Sequence, residues 1–204
     1  MKKIIPYSIL FLLFSCATPG QVQQESIDRY NNQTIDTILE CSSATGVGDP
    51  LESFVTINTQ NCYKAEGGIL RMVWNDQFIR AYVDKETKKV SSVQIYSVIY
   101  SQQGTWSFPS AATYLINGNL QYKDGTRIYS DVDCSSSDLY GSCRYQEHFG
   151  FTLGEEIFEE ARRLQALGET DFTYRIKTQT GNVDRVFNVV EILGVEQKIK
   201  ELNF

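Results

Sequence analysis

Residues 144–149, RYQEHF, place the single histidine of the chain beside a carboxylate, a combination used in general acid–base chemistry. Because adjacent side chains of a strand point to opposite faces, Glu147 and His148 would not form one dyad there. Gln146 and His148 would share one face, and Tyr145 and Glu147 the other. We therefore interpret His148 as a surface or half-buried strand residue.

Paired carboxylates are a second source of chemistry, and they leave no sequence signature. Glu147 with Asp131 or Asp133 is the pair that this sequence offers. Two such groups can hydrolyse a glycosidic bond when they converge in a cleft at about 5–10 Å. The alternative hypothesis of an envelope hydrolase depends on this pair and on its convergence in the folded chain.

A third candidate is the stretch SDVDCSSSD, which contains Asp131, Asp133 and Asp138. Spaced oxygen ligands in a loop can bind Ca²⁺, but this stretch lacks the glycine and the distal glutamate of an EF-hand loop. Asp and Ser also form ordinary turns. We interpret the stretch as a loop closed by a disulfide, and we expect no metal and no cofactor.

Asp184 and Arg185, in TQTGNVDR, could form a salt bridge or a ligand clamp, but we interpret this stretch as an ordinary turn. The chain contains no G-x-S-x-G elbow, no H-E-x-x-H pair and no phosphate-binding P-loop. These observations favour a protein that is not an enzyme, although they leave the carboxylate pair open.

The cysteines divide into one near the N-terminus, Cys16, and four others. An even number of cysteines suits disulfides in an exported protein. Of the three connectivities that four cysteines allow, Cys41–Cys62 and Cys134–Cys143 are favoured because each closes a short loop. Zinc is disfavoured because the closely spaced C-x₂-C pairs of structural zinc sites are missing.

The N-terminus has the organisation of an export signal. Two lysines precede an apolar run from Ile4 to Phe14, which is too short to span a bilayer. Leu13-Phe14-Ser15-Cys16 resembles the lipobox of bacterial lipoproteins, although that family prefers a smaller residue than Phe14. The resemblance implies that residues 1–15 are removed and that Cys16 is lipidated, with two or more acyl chains giving a stable membrane anchor.

The same resemblance implies a location in the bacterial cell envelope. Ala17 follows the cysteine where an Asp often signals inner-membrane retention in proteobacteria, so the outer membrane is favoured over the inner. Residues 16–36 are polar, and we interpret them as a flexible tether. A net charge of −6 argues against nucleic acid as a partner, because phosphate binding needs concentrated Lys and Arg.

Residues 37–204 are expected to form one domain in which strands dominate. Runs such as SFVTINTQ, QFIRAYV and VSSVQIYSVIY are rich in β-branched and aromatic residues. Asn117-Gly118 and Asp124-Gly125 are the strongest hairpin-turn dipeptides of the chain, and they predict antiparallel pairing.

Helical spacing interrupts this pattern twice. It predicts a helix at about 153–167, with Thr152 and Glu155 as a capping box and Gly168 as its end. It also predicts a C-terminal helix that contains Val195 and Ile199. The expected fold is therefore α+β and mainly β, with an antiparallel sheet or sandwich carrying two helices.

This order of elements resembles small uncharacterised β-rich domains of bacterial exported proteins, over residues 70–200, and that resemblance implies no activity. The leading functional hypothesis is a non-catalytic binding or assembly module that meets an envelope protein or a glycan. Besides the hydrolase, a further alternative is an inhibitor that inserts the loop Ser135 to Ser142 into an external enzyme.

Overall fold

The structure, a computed structural model, describes residues 32–62, 77–101, 105–134 and 143–202. The predicted export signal and Cys16 lie outside these ranges. The described residues form nine strands and three helices, in the order α1 (Ile35–Cys41), β1 (Ser43–Thr45), β2 (Phe54–Asn58), β3 (Gln77–Asp84), β4 (Val90–Ser101), β5 (Ala111–Ile116), β6 (Asn119–Asp133), β7 (Arg144–Leu153), α2 (Glu156–Ala166), β8 (Asp171–Thr178), β9 (Gly181–Asn188) and α3 (Val189–Glu201).

The strands form one antiparallel sheet in the order β1-β2-β3-β4-β7-β6-β5-β8-β9. The predicted class, α+β and mainly β, is confirmed. Alternation decides which face is buried, because successive side chains of a strand point to opposite sides. In β3, for example, Ile79, Ala81 and Val83 are fully buried, whereas Phe78 and Arg80 are half-buried on the outer face.

Strand β6 connects two halves of the sheet. Its residues 119–124 pair with β5, and its residues 125–133 pair with β7. Asp124-Gly125, predicted to be a hairpin turn, therefore lies within a continuous strand, and that prediction is wrong. A Cβ atom at Gly125 would lie 2.1 Å from Cζ of Phe149, so glycine allows a close approach here. The Asn117-Gly118 turn is confirmed, with φ of 50° and 75°.

Helix α2 begins later than predicted. Thr152 pairs with Gln94 as a residue of β7, and the N-cap residue Glu155 makes no side-chain capping bond. The predicted capping box is therefore wrong, because the sheet continues through Thr152. The backbone N–H of Gly154 instead donates to Oε1 of Glu156 at 3.1 Å. The helix itself, Glu156–Ala166, matches the predicted segment.

The terminal helix and the first helix lie against one another. Helix α3 begins after Asn188, whose side chain accepts the N–H of Val190 at 2.8 Å. Asn188 also donates to Gln33 at 3.0 Å, and Thr34 caps helix α1. Ordered contacts therefore begin before residue 37, the predicted start of the domain. No helix within the described ranges is long and apolar enough to cross a bilayer.

A buried tyrosine links the two halves of the sheet. The hydroxyl of Tyr174, on β8, lies 2.5 Å from Oγ of Ser97 on β4 and donates to Gln77 on β3 at 2.8 Å. Burial raises the pKa of Tyr174, so its hydroxyl stays protonated. The ring of Phe151 packs against Tyr174 with centroids 5.3 Å apart, so the polar contact lies within an aromatic core.

Candidate functional site

Glu147 and His148 lie on opposite faces of β7. Glu147 points inward and is 1% exposed, whereas His148 is half-buried on the outer face. His148 packs edge-on against Tyr129 at 5.2 Å, and its Nε2 lies 2.5 Å from Nε2 of Gln146. Burial lowers the pKa of His148. The two residues form no acid–base dyad, which agrees with the strand interpretation.

Glu147 and Asp131 do not converge either. In the register of β6 and β7, Ser130 lies opposite Glu147 and Asp131 lies opposite Gln146. Asp131 is therefore exposed on the outer face, where its Oδ1 accepts the N–H of Val132. The predicted pairing of Glu147 with Asp131 is wrong, because alternation places the two carboxylates on different faces. For Asp133 only the backbone pairing with Arg144 is described.

Disulfides join Cys41 to Cys62 and Cys134 to Cys143, the two pairs that the short loops favour. They indicate an oxidising, exported compartment. Asp138 and the loop Ser135 to Ser142 lie outside the described residues. Within the described ranges, no group of three His, Cys, Asp or Glu side chains could hold a metal ion.

Asp184 and Arg185 are adjacent residues of β9, so their side chains point to opposite faces of the sheet. Asp184 faces Arg175 across β8 and β9, with Nε–Oδ1 and Nη2–Oδ2 distances of 2.5 and 2.9 Å. Arg185 reaches the carbonyl oxygen of Val98 at 3.5 Å. The predicted ordinary turn is wrong at these two residues, because both lie within strand β9. Neither alternative, a salt bridge or a clamp between Asp184 and Arg185, forms, and Asp184 belongs instead to a solvent-exposed cross-strand ion pair with Arg175.

The inward carboxylate of Glu147 binds three donors. It accepts the backbone N–H of Ser107 at 2.5 Å and that of Phe108 at 3.1 Å. Nη1 of Arg127, on the neighbouring strand β6, lies 3.3 Å from its Oε1. A buried carboxylate is tolerated when it is paired and hydrogen-bonded in this way. Glu147 therefore anchors the segment before β5 to the middle of the sheet.

Aromatic rings surround the guanidinium of Arg127. Its central carbon lies 5.9 Å from the ring centroid of Trp106 and 5.1 Å from that of Phe108. Trp106 packs edge-to-face with Tyr145 at 4.8 Å. Both distances to Arg127 are within the range of cation–π attraction. We call Trp106, Phe108, Arg127, Tyr145 and Glu147 the arginine–aromatic cluster.

Two members of this cluster, Arg127 and Phe108, are exposed. Phe108 is 40% exposed, although Ser107 and Pro109 on either side of it are buried. Its φ of 50° lies in the left-handed region, which costs a residue with a Cβ atom about 1–2 kcal/mol. Such strain persists only where surrounding contacts hold it, and it is concentrated at functional sites.

The segment around Phe108 is fixed on both sides by backbone hydrogen bonds. The N–H of Gln179 donates to the carbonyl oxygen of Ser107 at 2.8 Å, and the N–H of Ser110 donates to the carbonyl oxygen of Lys177 at 3.0 Å. These bonds connect the segment to β8 and to the turn after it. The backbone is therefore held by hydrogen bonds on both sides of Phe108, which is itself exposed.

The sequence predicted Glu147 as a candidate but not its partners. Ser107 and Phe108 are 40 and 39 residues away from it, and their bonds to it depend on long-range pairing. The available local signal was the stretch TWSFPS, in which aromatic residues alternate with small ones before a proline. Pro109 in that stretch is typical of an edge position or a bulge, and the described strand begins only at Ala111.

No family model matches this chain, and no match was found among curated proteins or solved structures. No relative therefore supplies a substrate, a ligand or a partner.

Proposed function

We propose that this chain is a lipid-anchored binding module of the bacterial cell envelope and carries out no catalysis itself. In this proposal Cys16 holds the lipid, residues 1–15 are removed, and residues 16–36 connect the anchor to the domain. The lipobox-like residues Leu13 to Cys16 support the anchor, and the two disulfides support export. Ala17 supports the outer membrane over the inner.

The main support for a binding role is that the Glu147 carboxylate is buried and already hydrogen-bonded within the domain. A general acid or base must come within hydrogen-bonding distance of the group it acts on. Glu147 is 1% exposed, and it is occupied by two backbone N–H groups and Arg127. Its effect is to hold Phe108 in place with the ring exposed, which serves recognition rather than proton transfer.

An envelope protein or a glycan is the proposed partner. A ring fixed in its binding conformation loses little conformational freedom on association, and this raises affinity. Trp106, Arg127 and Phe108 provide such a pre-organised surface. An inhibitor of an external enzyme is the second candidate, with the loop Ser135 to Ser142, closed by the Cys134–Cys143 disulfide, as the segment that would be inserted.

Two measurements test this proposal. Mass spectrometry of the mature protein should show an N-terminus at Cys16 that carries acyl chains; an N-terminus at Met1 or an unmodified Cys16 contradicts the anchor. Chemical crosslinking in intact membranes should then link the native chain to a defined envelope component. A Cys16→Ser variant, released from the membrane, should lose that crosslink, whereas equal crosslinking of both forms would argue against a role that needs anchoring.

A further inference from the structure

We infer that the outer face of the β5–β6 hairpin lies on the phospholipid bilayer that holds the lipid anchor, and that this contact orients the domain. The contact surface consists of Leu115, Leu120, Tyr122 and Val186, which we call the hairpin face. This inference rests on the lipid anchor of the proposed function, and it adds which surface of the domain meets the membrane.

The hairpin face consists of exposed apolar side chains on neighbouring strands. Leu115 of β5 and Leu120 of β6 pair across the hairpin and are 50% and 72% exposed. Tyr122, two positions further along β6, is 61% exposed. Val186 of β9 is also exposed, and it pairs with Thr173, an uncharged residue of β8. Alternation places all these side chains on the outer side of the sheet, away from the core.

Charged side chains lie around this face and not within it. Arg175 and Asp184, one outward position further from the hairpin turn, form the ion pair described above. Asp171, at the start of β8, is half-buried. Apolar side chains and tyrosines are favoured at the boundary between lipid headgroups and acyl chains. The composition of the hairpin face therefore suits contact with a lipid surface.

The chain enters the domain beside the same face. The structure describes the N-terminal part of the domain from residue 32 onward, and Gln33 accepts a hydrogen bond from Asn188 at 3.0 Å. Asn188 is the last residue of β9, two positions after Val186. Residues 16–31 separate the proposed lipid from this point, and their length cannot exceed about 55 Å. The anchor therefore brings this end of the sheet to the bilayer.

A second exposed apolar residue lies at the opposite end of the sheet. Leu51 is 92% exposed, and its loop is joined to the end of β3 by the N–H of Lys85, which donates to the carbonyl oxygen of Ser53 at 3.1 Å. Gln77, at the start of β3, donates instead to the carbonyl oxygen of Val186 at 2.5 Å. The length of β3, about 23 Å, thus separates the two sites. Leu51 is therefore a control with high exposure but the wrong position.

The contact also determines where the arginine–aromatic cluster points. Strand β5 runs from Ala111, three positions after Phe108, to Ile116 at the hairpin turn. Phe108 and the hairpin turn therefore lie at opposite ends of this strand. With the hairpin face on the bilayer, the cluster is directed away from the membrane, where an envelope component can reach it.

A few side chains give only weak binding to a bilayer, so the contact depends on the anchor. A tether raises the effective concentration of the second contact to about the millimolar range. The contact therefore forms in the lipidated chain, whereas a Cys16→Ser chain should not float with vesicles in a density gradient.

The test uses the full lipidated chain in vesicles of phosphatidylethanolamine and phosphatidylglycerol. A benzophenone amino acid replaces Leu115 in one protein and Leu51 in another, and mass spectrometry measures the yield of phospholipid adducts after irradiation. Leu120→Asp, added to the protein labelled at position 115, places a carboxylate in the hairpin face. Leu51→Asp in the same protein is the matched control. Thermal melting confirms that each variant is folded.

The inference predicts at least tenfold more phospholipid adduct from position 115 than from position 51. Leu120→Asp should lower the yield from position 115 at least tenfold, because moving a carboxylate out of water is costly. Leu51→Asp should leave that yield unchanged.

Other outcomes overturn the inference and separate it from the proposed function. No adduct from position 115, equal yields from both positions, or a yield that Leu120→Asp leaves unchanged each refute docking by the hairpin face. If the chain still floats with the vesicles, the lipid anchor stands and only the inference fails. A chain that carries no acyl groups and does not float contradicts both.

Discussion

The buried carboxylate of Glu147 accepts the backbone N–H of Phe108 at 3.1 Å and thereby holds an exposed aromatic residue in a left-handed conformation. One residue lies in the middle of a strand and the other lies at the surface, 39 positions earlier in the chain. The stability of the sheet is thus coupled to the shape of the candidate binding surface.

Replacement of Phe108 tests the strained backbone. Phe108→Gly and Phe108→Ala both remove the ring, but only alanine keeps the Cβ atom that opposes a φ of 50°. We expect the glycine variant to be more stable by about 1 kcal/mol in urea unfolding. At an ordinary φ the order reverses, since glycine is then the less stable residue by about 0.5–1 kcal/mol. An alanine variant that is the more stable of the two would contradict the left-handed conformation.

Glu147→Gln tests the anchor of the same segment. The substitution keeps the size of the side chain but removes the charge that pairs with Arg127, and it directs an amide group towards backbone donors. We expect a loss of about 2–3 kcal/mol in the free energy of unfolding. Glu159→Gln makes the same chemical change at an exposed position of α2 and should alter stability by less than about 0.5 kcal/mol. Equal effects of the two variants would show that Glu147 is not an anchor.

Gly125→Ala tests the passage of β6 between the two halves of the sheet. The new Cβ atom would lie 2.1 Å from Cζ of Phe149 and 2.8 Å from the carbonyl oxygen of Gly150. Overpacking of this kind costs about 1–3 kcal/mol, and we expect the upper end because backbone is among the clashing atoms. Thr126→Ala, one residue further along the exposed face, is the control. A Gly125→Ala variant as stable as this control would be incompatible with the continuous strand.

The pKa of His148 can be measured without ambiguity because the chain has one histidine. Burial lowers this pKa below the usual 6.5, so the imidazole signal in an NMR titration should have its midpoint below that value. The folded state then binds fewer protons than the unfolded state, and the contribution of His148 to stability is lost as pH falls below about 6.5. His148→Gln should therefore lose less stability than the native chain between pH 7.5 and pH 5.5. A midpoint at or above 6.5 would contradict the burial of this ring.

The fold class was predictable because it depends on patterns that are local in sequence. The alternation of apolar residues in QFIRAYV places one set of side chains inward whatever the neighbouring strands are. The errors occurred where a distant residue decides the local structure. Asp124-Gly125 has the sequence of a hairpin turn, but it lies within a continuous strand. The ring of Phe149, on β7, approaches position 125 so closely that only glycine fits there. Thr152 resembles a helix cap, but its pairing with Gln94 keeps it in the sheet.

The same distinction applies to the candidate site. Strand alternation was sufficient to predict that Glu147 and His148 face opposite sides. It could not predict which groups Glu147 binds, since Ser107 and Phe108 approach it through the fold of the sheet. The sequence also contains no local signal of the positive φ at Phe108, because only the surrounding hydrogen bonds maintain that conformation.

The central proposal is that Phe108 contacts a component of the cell envelope. The most direct measurement is site-specific photocrosslinking in intact cells, with a benzophenone amino acid at position 108 and, in a separate strain, at position 120. The proposal predicts one adduct of constant mass from position 108 that is absent from position 120. It is contradicted if position 108 gives no adduct, or if both positions give the same adducts in equal yield.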